Sequence, residues 1–366
     1  MGSRLVVVKI GTSSITDSNG TITPCAIRKL AAEVARQRAA GDRVVVVTSG
    51  AIAAGLPVLG LAERRPTDMA TLQAVSAVGQ GHLLGEWYRA LEEVGLIGGQ
   101  VLLTPHDFVD RRQYLHARQT LSRLLDLGVV PVVNENDAIA DDEIRFGDND
   151  RIAALVAHLL AADILVLLTD APGLLTADPR RHDWASLIEE IAEVDAELEA
   201  LAGGPGSARG SGGMASKLAA AKIAAWSGVR AVIADAARPG VLADAVDGVA
   251  GVGTVVVARE GRLAARKLWI AFAVAARGTV VVDEGARAAL LHTGVSLLPA
   301  GVLAVTGRFD REDAVGIAGP DGVIFAKGLA RHTAVELDAL RGLRTSQLPD
   351  GLPHEVVHRD DLVILP

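Results

Sequence analysis

An α/β fold is the class this sequence predicts: an open, mainly parallel sheet covered by helices on both faces, followed by a small, mainly β domain. Three observations carry that reading. Short, unbroken apolar runs alternate with helix-like segments, the pattern of strands buried on both faces and joined by crossover helices. Polar and glycine residues collect at the C-terminal ends of those runs. Beyond about residue 258 the unbroken runs give way to short alternating segments separated by Gly, Pro and Asp.

Taken in order, "LVVVKI" (5–10) is the first strand, since it lacks the alternation of a half-exposed one. Thr23 reads as a cap and Pro24 as a first helical position for a helix over 25–40, with Cys25 as a small buried residue within it. "VVVVTS" (44–49) is the next strand, 68–94 the next helix, "QVLLT" (100–104) a third strand and 111–127 another helix. "VVPVVN" (129–134), a helix over 150–161 and "ILVLLTD" (164–170) follow. Residues 152–168 are the one stretch long enough to suggest a membrane span. His158 and Asp163 interrupt it, and a buried helix running into a buried strand accounts for it better. The glycine-rich "AGGPGSARGSGG" (202–213) opens a helix over 214–227, and "RAVIAD" (230–235) closes the series. These segments divide the chain into a first domain over 1–258, a linker over 259–276 and a mainly β domain over 277–366.

Right-handed crossovers put the strand C-termini on one edge of such a sheet, where open α/β sheets bind ligands. Lys9 to Ser13, Thr48 to Gly50, Asn134 to Asp137, and Thr169-Asp170 all fall there.

Composition narrows the function. Half of the 366 residues are hydrophobic but only 3% are aromatic, so the core is aliphatic; the net charge of −8 argues against a nucleic-acid backbone or an anionic membrane surface as partner. A single cysteine allows no intrachain disulfide and fits a reduced, cytoplasmic setting. There is no G-x-x-x-x-G-K-[ST], no G-x-G-x-x-G after the first strand, and no Cys/His cluster with metal-ligand spacing. His82, His106, His116 and His158 have no readable partners and are expected to be structural or exposed.

Two lysines and an acidic cluster remain. Lys9 ends a buried strand just before Gly11, and Lys217 lies in the first turn of a helix behind Ser211, Gly212 and Gly213. Glycine-rich loops and helix N-termini hold anions, and an adjacent lysine adds a full charge. Asp137, Asp141, Asp142, Glu143, Asp148 and Asp150 crowd beside one apolar run, which calls for positive charge to join them. Phosphoryl transfer asks for this combination: lysines and Mg²⁺ around the moving group, and a carboxylate to orient the lysines.

The motifs "VVKIGTSSIT", "VVVVTSGAIAAG", "VVPVVNENDAIADDEIRFGDNDRIAAL", "LLTDAPGLLTADPR" and "GSGGMASKLAAA" resemble the amino-acid kinase family in its glutamate 5-kinase branch. The C-terminal part resembles a PUA domain in "TVVVDEGARAALLHTGVSLLPAGVLAVTGRF". The resemblance implies an amino-acid kinase fold and ATP-dependent phosphorylation of the side-chain carboxylate of L-glutamate to L-glutamyl 5-phosphate, the first step of proline biosynthesis. It implies that Lys9 and Lys217 contact the phosphates of ATP and that Asp150 holds these lysines. Ser49, Asn134, Asp137, Asp148 and Asn149 would hold L-glutamate. Thr169, Asp170 and the stretch Ser211, Gly212, Gly213, Met214, Ala215, Ser216 and Lys217 would line the nucleotide side. It further implies Mg²⁺ with ATP, proline as feedback inhibitor, a homo-oligomer, and hand-over of product to glutamyl-phosphate reductase. The loop "APGLLTADPR" departs from the family, whose members often carry an acidic residue before the glycine and a tyrosine soon after it.

Two other classes stay in view. An N-acetylglutamate or aspartate kinase shares the chemistry, although an acetylated substrate has no ammonium for Asp137 and Asp148. An RNA-binding role through the PUA-like domain meets nine Lys and Arg against twelve Asp and Glu over 277–366, the wrong sign for a phosphate backbone.

Overall fold

A computed structural model describes residues 2–17, 20–108, 110–139, 149–179, 182–203, 213–272, 274–349 and 351–365. The chain divides into two compact units, Met1–Arg262 and Leu263–Pro366.

In the first unit, β1 (Leu5–Ile10) is buried along its whole length and is followed by the short α1 (Thr12–Ile15) and by α2 (Pro24–Ala39). Pro24 opens α2, but Thr23 makes no side-chain capping bond, and Cys25 is exposed rather than buried because it lies in the open first turn. Next come β2 (Arg43–Val47), α3 (Ala51–Val58), α4 (Met69–Glu93), β3 (Gly98–Leu103), α5 (Arg111–Asp126) and β4 (Val130–Glu135). The series continues with α6 (Asn149–Leu160), β5 (Ile164–Thr169), β6 (Glu190–Ile191), α7 (Ala196–Leu201), α8 (Met214–Trp226), β7 (Arg230–Asp235), α9 (Val241–Asp247) and β8 (Gly253–Val256).

The eight strands form one sheet in the order β3-β4-β2-β1-β5-β7-β8-β6, with every neighbouring pair parallel except β7 and β8. The expected parallel sheet is therefore present, with β1 near its centre. Lys9 stands opposite Val47 on one side and Leu167 on the other. The apolar stretch 152–168 is α6 running into β5, and among the described residues no helix is long and apolar enough to cross a membrane.

Three glycines explain how α3 and α4 reach the sheet edge. Gly50 caps α3 with φ +107°, a backbone region that favours glycine, and so turns the chain sharply after Ser49. Where α3 and α4 cross, a Cβ on Gly79 would lie 1.8 Å from the Ala51 carbonyl oxygen, and one on Gly55 would lie 2.1 Å from that of Val75. The two helix backbones touch there, with no side chain between them.

The second unit contains α10 (Ala265–Phe272), β9 (Gly278–Val282), α11 (Glu284–Thr293), β10 (Val302–Gly307), β11 (Ala314–Ala318), β12 (Ile324–Leu329), α12 (Ala334–Leu340) and β13 (Leu362–Ile364). Its five-stranded sheet runs β10-β9-β11-β12-β13 around a separate core that includes Val280, Phe309, Ile317 and Leu337. Helix α10 packs on β12 and β13, and Lys327 donates to the carbonyls of Ala271 and Val274 at the end of that helix.

Candidate active site

The site begins with one carboxylate. Asp150, in the first turn of α6, places Oδ1 2.6 Å from Nζ of Lys9 and Oδ2 3.3 Å from Nζ of Lys217. The Ser216 hydroxyl, in the first turn of α8, donates to Asp150 Oδ2 at 2.7 Å. Asp150, Lys9 and Lys217 are 1%, 3% and 4% exposed. Three distant parts of the sequence thus meet at one buried ion cluster on the C-terminal edge of the sheet. Burial alone would raise the Asp150 pKa. Lys9, Lys217 and the Ser216 hydroxyl outweigh it and hold the group down to about 2. Two ammonium groups meet at this carboxylate in a place with little water, a setting suited to a transferring anionic group.

Beside this cluster, the ends of β2 and β4 and one face of α4 form a polar wall. Ser49 donates its hydroxyl to the Ile10 carbonyl at 3.2 Å and accepts from the Thr12 hydroxyl at 3.1 Å. Asn134 donates Nδ2 to Gln80 Oε1 at 2.7 Å. The backbone N–H of Glu135 is shared between Asn134 Oδ1 and Asn149 Oδ1, each at 3.0 Å. Asp137 accepts from the Ser76 hydroxyl at 3.1 Å through Oδ2, while its buried Oδ1 has no hydrogen-bond partner among the described residues. Burial pushes the Asp137 pKa up to about 6 against the lowering effect of Ser76. A buried carboxylate with one oxygen unsatisfied is a place for a cation.

Thr169 ends β5 and Asp170 follows it, and the Thr169 hydroxyl donates to Asp170 Oδ1 at 3.1 Å. Gly213, Met214, Ala215, Ser216 and Lys217 lead into α8, with the Ser216 hydroxyl also 2.9 Å from the Gly213 carbonyl. Asp148, Ser211 and Gly212 lie outside the described residues.

Helix α4 supplies what the sequence did not announce. Ser76 and Gln80 are one helical turn apart on the face that meets β4, and Trp87 anchors the same helix through Nε1 to the Thr48 hydroxyl at 3.0 Å. The i, i+4 spacing of Ser76 and Gln80 was the available signal, but it became informative only with the partner strand known.

A model of the Amino acid kinase family matches residues 4–235, which run from before β1 to the end of β7 and hold every site residue above. The chain belongs to the amino acid kinase family. Among curated relatives, the Glutamate 5-kinase of Mycobacterium ulcerans (strain Agy99) is 46% identical over 362 residues, covering 99% of this chain and 96% of the relative. The Glutamate 5-kinase of Moorella thermoacetica is 44% identical over 367 residues, covering 99% and 97%. In fold, this amino acid kinase is similar to a carbamate kinase from Giardia lamblia solved with AMP-PNP. The TM-score is 0.51 at 19% identity, over 70% of this chain and 99% of that one. A model of the PUA domain matches residues 278–352, within the second unit.

Proposed function

We propose that the chain transfers the γ-phosphoryl group of ATP to the side-chain carboxylate of L-glutamate, forming L-glutamyl 5-phosphate for proline biosynthesis. The observation that carries this reading is Asp150 bridging two buried lysines beside the half-satisfied carboxylate of Asp137. Relatives named Glutamate 5-kinase, at 46% and 44% identity over nearly the whole chain, support it.

One carboxylate oxygen of glutamate attacks the γ-phosphorus. An O–P bond forms, the bond to the bridging oxygen of ADP breaks, and ADP leaves with that electron pair. A glutamate side chain has a pKa near 4.3 and is already ionised, so no base has to remove a proton. Lys9 and Lys217 offset charge on the moving group, and Asp150 keeps both ammonium groups in place. Asp137 Oδ1 receives the α-ammonium, with Ser49, Asn134, Asp148 and Asn149 completing the glutamate side. Thr169, Asp170 and the stretch Ser211 to Lys217 line the nucleotide side. Mg²⁺ arriving with ATP would neutralise phosphate charge. Among the described residues no group of three or more His, Cys, Asp or Glu gathers as a metal site.

Proline, with the same five-carbon skeleton and its own ammonium, would compete at Asp137 and inhibit. The chain would work as a cytoplasmic homo-oligomer that passes its reactive acyl phosphate to glutamyl-phosphate reductase. An ATP-dependent hydroxamate assay tests the reaction, with L-glutamate, N-acetyl-L-glutamate and L-aspartate compared side by side. L-Glutamate is expected to be strongly preferred. Equal turnover of the acetylated substrate would overturn the assignment, because Asp137 would then have no ammonium to bind.

A further inference from the structure

We infer that Gln80 binds substrate directly, donating from its side-chain Nε2 to the α-carboxylate of glutamate. The inference rests on the glutamate reading above and is built from a chain of fixed orientations. The Glu135 N–H can only donate, so Asn134 must turn Oδ1 toward it and present Nδ2 on its other side. That Nδ2 donates to Gln80 at 2.7 Å, so the Gln80 atom facing it is the acceptor Oε1. The remaining end of Gln80 is an NH₂ group, and it has no hydrogen-bond partner among the described residues. One backbone N–H therefore determines, through two amides, that a pair of donors is presented beside the site.

The same N–H orients Asn149, whose Oδ1 it also meets, leaving that Nδ2 as a second donor. These donors need an acceptor, and the anionic acceptors of glutamate are its two carboxylates. Position selects between them. The side-chain carboxylate has to reach the phosphoryl group at Lys9 and Lys217. The α-carboxylate shares a carbon with the ammonium and so lies beside Asp137. Gln80 is one helical turn from Ser76, which is bonded to Asp137, and is itself bonded to Asn134, three residues before Asp137. Gln80 thus stands with Asn134 and the Ser76–Asp137 pair, where the amino-acid end of the substrate would lie.

Steady-state kinetics of the full chain, with L-glutamate and ATP varied in turn, test this in Gln80→Met and Gln80→Glu. Met removes donors and acceptor together. Glu keeps size and an acceptor for Asn134 but replaces the donors with negative charge. Removing a hydrogen bond to a charged group should raise KM for glutamate roughly ten- to a hundredfold in both variants. KM for ATP should stay within about twofold, and kcat within a few-fold. A role confined to supporting the fold would lower the active fraction without changing KM. If the Met variant fails to fold, the near-isosteric Glu variant decides. Unchanged glutamate KM in either folded variant overturns the inference while leaving the kinase reading intact. A loss confined to kcat also overturns it, by placing Gln80 on the reacting carboxylate. Wild-type protein inactive on glutamate would overturn the reading underneath and the inference with it.

Discussion

At the scale of single residues, two buried aspartates in one site carry opposite electrostatics. Asp150 is held at a pKa of about 2 and Asp137 is raised to about 6, so their responses to pH and to substitution should separate. Below pH 6 Asp137 becomes protonated and loses its attraction for an ammonium. KM for glutamate should therefore climb by roughly tenfold between pH 7.5 and pH 5, while Asp150 stays ionised throughout. A flat KM across that range would remove Asp137 from ammonium binding. The sign for stability is the reverse of the usual carboxylate case. A folded pKa above the unfolded one means that ionised Asp137 destabilises the fold above pH 6 and costs nothing below about pH 4. Asp137→Asn should thus bind glutamate poorly yet be more stable in denaturant unfolding at pH 7.5, by on the order of 2–3 kcal/mol. Asp150→Asn should act on kcat, with a loss of about a hundred- to a thousandfold, since it releases Lys9 and Lys217 from their positions. Near-normal glutamate KM in that variant, measured beside Asp137→Asn, checks the division. Lys9, Asp150 and Lys217 were legible in the sequence because each stands where an apolar run or a glycine-rich loop meets the sheet edge. Their mutual contact was not legible, since nothing local to residues 9, 150 and 217 encodes a distance between them.

At the scale of elements, α3 and α4 show why some of the pocket could not be read from the sequence. Helix α4 was recognisable as a helix over 68–94, close to its observed Met69–Glu93. Its polar residues lie on more than one face, however, and only contact with β4 distinguishes Ser76 and Gln80 from solvent-facing neighbours. Helix α3 went unpredicted: "AIAAGLPV" is eight residues with a proline inside, too short and irregular for a periodic signal. What fixes this pair is the backbone contact at Gly55 and Gly79. Gly79→Ala would force a Cβ against the Ala51 carbonyl and spread the helices, withdrawing Ser76 and Gln80 from Asp137 and Asn134. The expected result is a loss of about 1–3 kcal/mol in denaturant unfolding together with a raised glutamate KM. Alanine at Gly81, where nothing lies within 4 Å of the new Cβ, is the control that should change neither.

At the scale of the whole molecule, the sheet and its crossover helices were predictable because an unbroken Val/Leu/Ile run suits a strand covered on both faces and little else. A domain boundary is harder, since it depends on long-range contacts. Arg259 sits over the Trp226 ring and its N–H donates to the Ala225 carbonyl, and Arg262 donates to the His158 carbonyl. Residues 259–262 therefore pack with the first unit. We expect a chain ending at residue 262 to keep kinase activity and to unfold at a higher temperature than one ending at 258. Loss of turnover in a folded 1–262 chain would give the second unit a part in catalysis. The placement of Lys9 has a further consequence in time. Strand β1 precedes the other strands during synthesis, yet its neighbour β5 lies some 160 residues downstream, and Asp150, the carboxylate that pairs with Lys9, arrives only shortly before it. Until both arrive, an ammonium in the middle of the future sheet lacks the environment that makes its burial tolerable. The nascent chain should remain open to protease until α6 and β5 have left the ribosome, because the counter-charge and the neighbouring strand that Lys9 needs are made only then.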